Sequence, residues 1–310
     1  MRQEAYFCTV KELDELGKNN IPRQLISHTH LIYSSPATLA FNSPGAEGFG
    51  VKRAGLAVPD SVMLIVSPGC CGRNTSVLSS MRAYQDRFYY LLMDETDIVT
   101  GRHLKKIPKA VAEICEGLKK KPSVVMICIT CVDALLGTDM ERVCHKAEEY
   151  AGVPVRPCYM YALTREGRKP PMVHVRQSVY SLLEPKKKKG NVVNLLGYFS
   201  PLTDDCELYD LLHGAGVKTI HEISRCKDYA QYQTMSEANF NLVLHPEARF
   251  AAEDFHDRLK IPYIELRRLY QIDKIASQYR AFAAALGVEF EDEIPRKAAE
   301  EAVEKFREIH

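Results

Sequence analysis

Residues Ser123–Arg142 read SVVMICITCVDALLGTDMER, and the fold class of the whole chain follows from this stretch. Its apolar, β-branched run Val124–Ile129 is too short for a typical helix and carries few polar residues, so it predicts a buried parallel strand. Thr130 and Cys131 end that strand, and Val132–Glu141 resumes at helical spacing. A thiol at the carboxyl end of a buried strand, just before a helix, lies where open α/β sheets bind ligands. The alternative is that Cys131 is a small buried hydrophobe, since free cysteine is among the most buried residue types.

A second pattern of the same kind precedes this one. Ser61–Ser67 (SVMLIVS) also predicts a buried strand, and it runs directly into PGCCG at residues 68–72. Glycine on both sides of the thiols lets the backbone approach a bulky group closely, and local amides can donate hydrogen bonds to sulfur or to an anion. Neighbouring side chains point in different directions, so we expect only one of Cys70 and Cys71 to be a ligand at a given centre. Two strands that each end in cysteine predict a shared binding site.

Strands and helices alternate through the first half of the chain. Helices are predicted at Leu104–Lys120 and Val132–Ala151, and a short strand, Pro154–Arg156, then leads to Cys158. Residues 34–50 are rich in serine, proline and glycine and show little periodicity, which predicts a loop. Strand–helix–strand alternation of this kind is typical of a doubly wound parallel sheet.

A second unit of the same type follows a lysine-rich linker. The linker is EPKKKKG at Glu184–Gly190, and the strand Asn191–Gly197 starts a new βα series. Further strands are predicted at Val217–Ile220, Phe240–His245 and Pro262–Leu266. Helices are predicted at Cys206–His213, Tyr229–Met235, Ala248–Leu259, Lys274–Leu286 and Pro295–Ile309. We therefore predict an α/β fold with domains at residues 1–187 and 188–290 and a C-terminal helix at 291–310.

Composition excludes several classes of protein. The chain has 310 residues, of which 46% are hydrophobic and 26% charged, as in an ordinary globular protein. Its formal net charge is +1, so no overall field favours nucleic acid or an anionic membrane. No apolar run approaches the ~20 residues that span a bilayer, and the start MRQEAYFCTVKELDEL is too acidic and too interrupted for a signal peptide. We expect a cytoplasmic protein that binds neither nucleic acid nor membranes.

Cysteine usage favours ligands or free thiols over a disulfide framework, because ten cysteines occur without a secretion signal. Cys128 and Cys131 form C-I-T-C, but Cys128 lies within the strand rather than at a helix start, which argues against a zinc or thioredoxin-type site. Further on, a polar group of residues is expected to border a pocket, where its arginines either hold carboxylates or form a solvated basic loop. These residues are Cys158, Tyr159, Arg165, Arg168, His174 and Arg176.

Several stretches together resemble the catalytic-component subunits of nitrogenase and its relatives, including those that reduce protochlorophyllide, chlorophyllide and nickel tetrapyrroles. The acidic run MDETDIVTG and the segment KIPYIEL have the form of family motifs, as do the cysteine-bearing strand ends. The matching stretches, in order, are Ser43–Ala46, Ser67–Cys71, Met93–Gly101, Thr130–Asp139, and Asn191–Gly197 with Ile261–Glu265. The resemblance runs from about residue 25 to about residue 290.

The resemblance implies an iron–sulfur cluster held between two subunits by cysteines from these strand ends. In this chain Cys131 and one of Cys70 or Cys71 are then the expected ligands of a 4Fe–4S cluster, bound by the first domain. Alignment on the glycine favours Cys70, and alignment on Pro68 favours Cys71. Ser43 stands where most relatives have cysteine, so it either ligates iron through its oxygen or caps a turn.

The resemblance also implies partners. The functional unit is expected to be a homodimer or a hetero-oligomer with a homologous subunit. It would take electrons from an ATP-dependent iron–sulfur reductase and pass them to a small-molecule or tetrapyrrole-like substrate. The chain has no G-x-x-x-x-G-K-[ST] loop, so ATP would be used by that separate protein. The alternatives are a non-catalytic scaffold for iron–sulfur or metal-cofactor assembly, and a structural pseudo-subunit without a cluster. No catalytic residue is assigned.

Family members usually have three Rossmann-like domains, whereas this chain is expected to have two and to lack the third. A partner chain would supply the missing domain, or the pocket would be more open. The cysteine and histidine that hold the molybdenum–iron cofactor in nitrogenases have no counterparts here, so dinitrogen reduction is not expected.

Overall fold

The computed structural model describes residues 9–17, 19–20, 22, 44–69, 79, 82–130, 132, 136–159, 169–289 and 293–309. Eight strands lie in this part of the chain and form two sheets. They are β1 (Val62–Ser67), β2 (Phe88–Leu92), β3 (Val125–Ile129), β4 (Val155–Tyr159), β5 (Val192–Leu196), β6 (Thr219–His221), β7 (Phe240–Val243) and β8 (Tyr263–Glu265).

Helices alternate with these strands, as the sequence pattern predicts. In the described residues they are α1 (Val10–Leu16), α2 (Pro44–Gly55), α3 (Glu95–Thr100), α4 (His103–Gly117), α5 (Met140–Ala151), α6 (Pro171–Tyr180), α7 (Glu207–Gly214), α8 (Tyr229–Gln233), α9 (Arg249–Leu259), α10 (Ile272–Leu286) and α11 (Glu293–Ile309). Short 3-10 turns lie at Arg82–Tyr84, Ile223–Arg225, Thr234–Glu237 and Pro246–Ala248. None of the described helices has the length and apolar character needed to cross a membrane.

The first sheet has the strand order β2-β1-β3-β4, and all of its pairs are parallel. Every residue of β1 and β3 is buried, which explains why both strands appear in the sequence as nearly continuous apolar runs. The chain passes from β1 to β2 on one side and then to β3 on the other. The direction of winding therefore reverses between β1 and β3, the position at which open α/β sheets bind ligands.

The second sheet repeats this arrangement with the order β6-β5-β7-β8, again entirely parallel. Its central strand β5 is buried throughout. The α/β fold with two parallel sheets is thus confirmed. The exact division at residues 1–187, 188–290 and 291–310 stays a prediction.

One apolar core joins the two halves. Buried side chains of α2 and the first sheet, such as Met63, belong to the same cluster as Tyr232 and Phe255 of the second half. Hydrogen bonds cross the same boundary: the Tyr232 hydroxyl donates to the Val179 carbonyl over 2.5 Å. Residues 183–189 have no helical or strand structure, in agreement with the predicted linker. The halves are therefore packed against each other and not merely tethered.

Three local predictions differ from the structure. The expected loop at 34–50 already becomes helical at Pro44, where proline suits the first turn of a helix. The predicted helix Val132–Ala151 is interrupted: Gly137 has a φ of 69°, and Asp139 caps the new helix α5. Helix α6 has no counterpart among the predictions. Most of its side chains are buried, so its sequence lacks the polar face that marks an amphipathic helix.

Candidate functional site

The carboxyl ends of β1 and β3 lie side by side at the reversal point of the first sheet. Val66 and Ile129 are register partners, so Ser67, the last residue of β1, and Thr130, the first residue after β3, occupy the next position on each chain segment. Both residues are buried, at 0% and 1% exposure. Neither hydroxyl oxygen has a hydrogen-bond partner among the described residues. The two strands therefore end in a pair of buried polar groups whose hydrogen-bonding capacity is not used by the described part of the chain.

The predicted cysteine ligands follow these residues directly along the chain. Cys131 comes after Thr130, and Cys70 and Cys71 come after Pro68 and Gly69. Cys70, Cys71, Cys131 and Ser43 all lie outside the described residues. Their assignment as ligands, and the choice between Cys70 and Cys71, stay predictions.

The described residues at the strand ends nonetheless fit an iron–sulfur group. A buried hydroxyl without a partner costs ~1–3 kcal/mol, and the sulfur atoms of a cluster and its thiolates accept hydrogen bonds. Within the ranges that the structure describes, no group of three or more His, Cys, Asp or Glu side chains is arranged to hold a metal ion. The described residues alone thus provide no such metal site, and the ligand role of Cys131 with one of Cys70 or Cys71 stays a prediction. Sequence reasoning singled out those cysteines but missed the hydroxyls that precede them.

The acidic run at residues 93–101 has a structural role. Asp94 caps α3, and the buried carboxylate of Asp97 accepts from Lys106 Nζ at 2.7 Å and Arg102 Nε at 2.8 Å. These two cations hold the pKa of Asp97 well below its usual range. His103 is also buried, with Nδ1 3.0 Å from the Asp97 carbonyl oxygen. The run therefore fixes α3 and α4 beside the end of β2, and its buried carboxylate, Asp97, is fully engaged by two cations.

Gly137 and Asp139, in the motif that follows Cys131, determine where helix α5 begins. Gly137 adopts a left-handed φ of 69°, which glycine accommodates without strain. Two residues later, Asp139 accepts a hydrogen bond from the Arg142 amide over 3.1 Å and caps α5. The left-handed glycine therefore interrupts the helical path, and the aspartate sets the start of α5 at Met140.

Cys128 points into the core instead of toward the strand end. It is fully buried in β3 and is the register partner of the equally buried Cys158 in β4. A hydrogen bond from Cys158, together with the nearby Lys52 ammonium, lowers the pKa of Cys128, while burial raises the pKa of Cys158. Cys158 Sγ also donates to the Val51 carbonyl over 3.5 Å. This placement argues against a zinc or thioredoxin-type site formed by Cys128 and Cys131, as expected from the position of Cys128 within the strand.

Arg176 does not border the pocket that the sequence suggested. It is 4% exposed and donates to the Gly197 carbonyl and to Glu247 Oε2, both over 2.7 Å. Gly197 has a φ of 141°, and a Cβ there would lie 2.7 Å from the His245 nitrogen, so the close approach requires glycine. The prediction that Arg176 holds a substrate carboxylate or lies in a solvated loop is wrong. Its guanidinium links the two halves of the protein.

The other described members of that group pack in and beside β4, and the remaining two lie outside the described residues. His174 packs its ring edge on Tyr159 at 4.3 Å between ring centres, and burial, aided by Lys169, lowers the pKa of His174 to about 4. The neutral His174 imidazole therefore has a packing role against Tyr159. Arg165 and Arg168 lie outside the described residues.

Comparison with known proteins identifies related sequences. The sequence profile of the family described as "Nitrogenase component 1 type Oxidoreductase" matches residues 47–310. The "Nitrogenase iron-molybdenum cofactor biosynthesis protein NifE" of Nostoc sp. is 27% identical over 239 residues, covering 74% of this chain and 49% of that protein. The protein of the same name from Klebsiella pneumoniae is 26% identical over 266 residues, covering 79% of this chain and 58% of that protein. The chain spans about half the length of the curated relatives it matches.

Solved structures give the same fold. A chain titled "Nitrogenase Cp1 at pH 6.5" superposes with a TM-score of 0.57 at 18% identity, covering 77% of this chain and 57% of that one. A chain titled "Nitrogenase Cp1 at pH 5" superposes with a TM-score of 0.54 at 21% identity, covering 82% and 54%. At these identities the likeness extends to the fold alone.

Proposed function

Since this chain belongs to the nitrogenase component 1 type oxidoreductase family, we propose that it is an iron–sulfur-binding subunit that serves as a scaffold in metal-cofactor assembly. Support for the scaffold role comes from the related sequences, which are named as cofactor biosynthesis proteins and are 26–27% identical over most of this chain. The family match supports membership of a redox family in general terms. A scaffold that binds an iron–sulfur cluster agrees both with the related biosynthesis proteins and with the family match.

The observation that carries the proposal is the paired end of β1 and β3. Ser67 and Thr130 place two buried hydroxyls without described partners at the reversal point of the sheet. Cys131 and one of Cys70 or Cys71 follow them and supply the thiolates that iron–sulfur clusters require. Ser43 is the remaining candidate, through its side-chain oxygen.

The ligand count suggests that the cluster is shared. An iron–sulfur cluster of the 4Fe–4S type takes four protein ligands, and two strand-end cysteines per chain supply half of them. A second subunit, identical or homologous, would provide the rest. When bound, such a cluster supplies one-electron storage and transfer. The cysteines of this chain would hold it, the Ser67 and Thr130 hydroxyls would be available to donate hydrogen bonds to its sulfur atoms, and the buried strands β1 and β3 would exclude water.

The second candidate function is that of a reductase subunit, which the oxidoreductase description of the family favours. Such a subunit would receive electrons from an ATP-dependent iron–sulfur reductase. A third possibility from the sequence, a pseudo-subunit without a cluster, rests on Ser43 at a position where relatives have cysteine.

One experiment separates these functions. The chain is purified without oxygen, and iron and acid-labile sulfide are measured per chain. It is then tested for substrate reduction with an iron-protein-type reductase and ATP. The scaffold proposal predicts iron and sulfide in equal amounts without ATP-dependent turnover. Turnover would favour the reductase subunit instead, and a purified chain without iron or sulfide would favour the pseudo-subunit.

A further inference from the structure

A cleft of about 640 Å³ lies between the two halves of the protein. One wall is formed by α2 and by the segments that lead into β1 and β2, and the other by the segments that follow β5 and β6. Its lining includes Arg53, Arg87, Met172, Phe199, Ser224 and Lys227. Its volume is within the ~300–1,000 Å³ typical of small-molecule sites.

The cleft is separate from the predicted cluster site. Asp60 and Arg87, which line it, come just before β1 and β2, so it lies at the amino edge of the first sheet. The cysteines at residues 70, 71 and 131 follow the carboxyl ends of β1 and β3. For the second sheet, by contrast, Phe199 and Ser224 follow β5 and β6, so the cleft lies at the carboxyl edge, where parallel sheets bind ligands.

The cleft carries positive charge that its own residues do not neutralise by contact. Arg87 hydrogen-bonds neutral acceptors: the Leu56 carbonyl at 2.7 Å, the Ser61 hydroxyl at 2.8 Å and the Ser61 carbonyl at 2.9 Å. The one carboxylate of the lining, Asp60, is bound to Lys120 at 2.8 Å. Burial lowers the pKa of Arg87, so its charge is disfavoured where it lies. An anion in the cleft would relieve that cost.

Two further cations line the cleft, one from each half of the protein. Arg53 is exposed on α2, and Lys227 is exposed in the loop after β6. No hydrogen bond or salt bridge of the Arg53 or Lys227 side chain occurs among the described residues. Long cationic side chains from two sides can close on one anionic group.

Between the charges, the lining is apolar and partly aromatic. Phe199 and Met172 are half-buried and face the cleft, and the Arg176 guanidinium lies 5.0 Å from the centre of the Phe199 ring. Ser224 also lines the cleft, and its buried hydroxyl has no hydrogen-bond partner within the described ranges. The lining therefore suits a ring against the apolar wall, an anionic group near the cations and a polar atom near Ser224.

We propose that this cleft binds an organic anion with an aromatic ring. The ring packs against Phe199 and Met172, and the carboxylate or phosphate lies between Arg53 and Lys227. The shared chemistry fits either an aromatic carboxylate or a nucleotide. The site is independent of the cluster, so it is present in iron-free and iron-loaded protein alike.

The test uses the full chain and 8-anilino-1-naphthalenesulfonate, an aromatic anion whose fluorescence rises on binding. We expect one saturable site. Arg53→Gln combined with Lys227→Gln should raise its Kd about five-fold, the effect of losing two partly solvated charge contacts. The matched control is Lys186→Gln with Lys187→Gln, which removes two exposed lysines of the linker and should leave the Kd unchanged. Equal Kd values in the two double variants, or no saturable binding, would overturn the proposal.

A second variant distinguishes loss of dye binding from loss of folding. Ser200→Trp places a large side chain at the exposed mouth of the cleft and should abolish dye binding while the melting temperature stays unchanged. Competition then identifies the source of the anion: displacement by adenosine monophosphate indicates a nucleotide, and displacement by benzoate alone indicates a carboxylate. If neither displaces the dye, the proposed ligand class is wrong. Because the measurement needs no iron, its failure leaves the cluster proposal intact.

Discussion

Ser67 is the last residue of β1 and Thr130 directly follows the neighbouring strand β3, and both hydroxyls are buried without a hydrogen-bond partner among the described residues. Native proteins rarely leave buried polar groups unpaired, and the exceptions often mark a bound group. Here each hydroxyl directly precedes a segment that contains a predicted cysteine ligand. The pair therefore connects the fold of the first sheet to the proposed iron–sulfur chemistry.

Thr130→Val tests that connection by removing the hydroxyl while keeping the shape. In iron-free protein we expect stability to stay the same or to rise by ~1 kcal/mol, because an unsatisfied polar group is lost. In iron-loaded protein the reduction potential should fall, since hydrogen bonds to cluster sulfur raise it. Urea unfolding and a redox titration measure the two effects.

The matched control for that variant is Ser61→Ala. The Ser61 hydroxyl donates to the Val58 carbonyl at 2.7 Å and accepts from Arg87 at 2.8 Å, so its loss should cost ~1–2 kcal/mol. If Thr130→Val destabilises iron-free protein as much as Ser61→Ala does, the Thr130 hydroxyl already has a partner within the chain.

Removal of Arg176 should weaken the contact between the halves. Arg176→Met keeps an unbranched apolar stem but loses the hydrogen bonds to Gly197 and Glu247, and leaves the buried Gly197 carbonyl without its partner. We expect a loss of about 2 kcal/mol in the free energy of unfolding. Arg249→Met, which breaks solvent-accessible pairs with Glu253 and Glu265, should cost less than ~1 kcal/mol. Equal effects of the two variants in urea unfolding would show that Arg176 carries no special role.

Limited proteolysis tests the predicted boundary in the linker. Lys186 and Lys187 are exposed, so trypsin should cut there. Arg258, however, binds the carbonyls of Leu183 and Tyr180 at 2.5 and 3.0 Å, and one apolar core spans both halves. We expect two bands on a denaturing gel but a single peak in size-exclusion chromatography. An uncut chain would argue against the boundary.

Removal of iron should weaken the assembly. A cluster that binds only the assembled form stabilises that form by mass action. Treatment with a chelator under anaerobic conditions is therefore expected to lower the molar mass measured by light scattering. A monomer that keeps a complete cluster would contradict the shared-site proposal, because one chain would then supply every ligand.

The strands of the first sheet could be predicted because β1 and β3 are buried on both faces and their sequences are continuous apolar runs. Helix α6 could not, since burial on most sides removes the polar face that marks a helix. The role of Arg176 in linking the two halves could not be predicted either, because its partners, Gly197 and Glu247, are 21 and 71 residues away along the chain. The burial of the Ser67 and Thr130 hydroxyls could not be predicted from the sequence for a similar reason. Their burial depends on the pairing of two strands that are distant in sequence.

The central claim is that thiolates from the strand ends bind an iron–sulfur cluster. Its most direct test is the iron and sulfide content of anaerobically purified Cys131→Ala and Cys115→Ala. Cys115 is a partly buried thiol in α4, away from the strand ends, and serves as the control. The proposal predicts that Cys131→Ala loses iron and sulfide while Cys115→Ala keeps the content of the unmodified protein. Equal iron content in the two variants would contradict it.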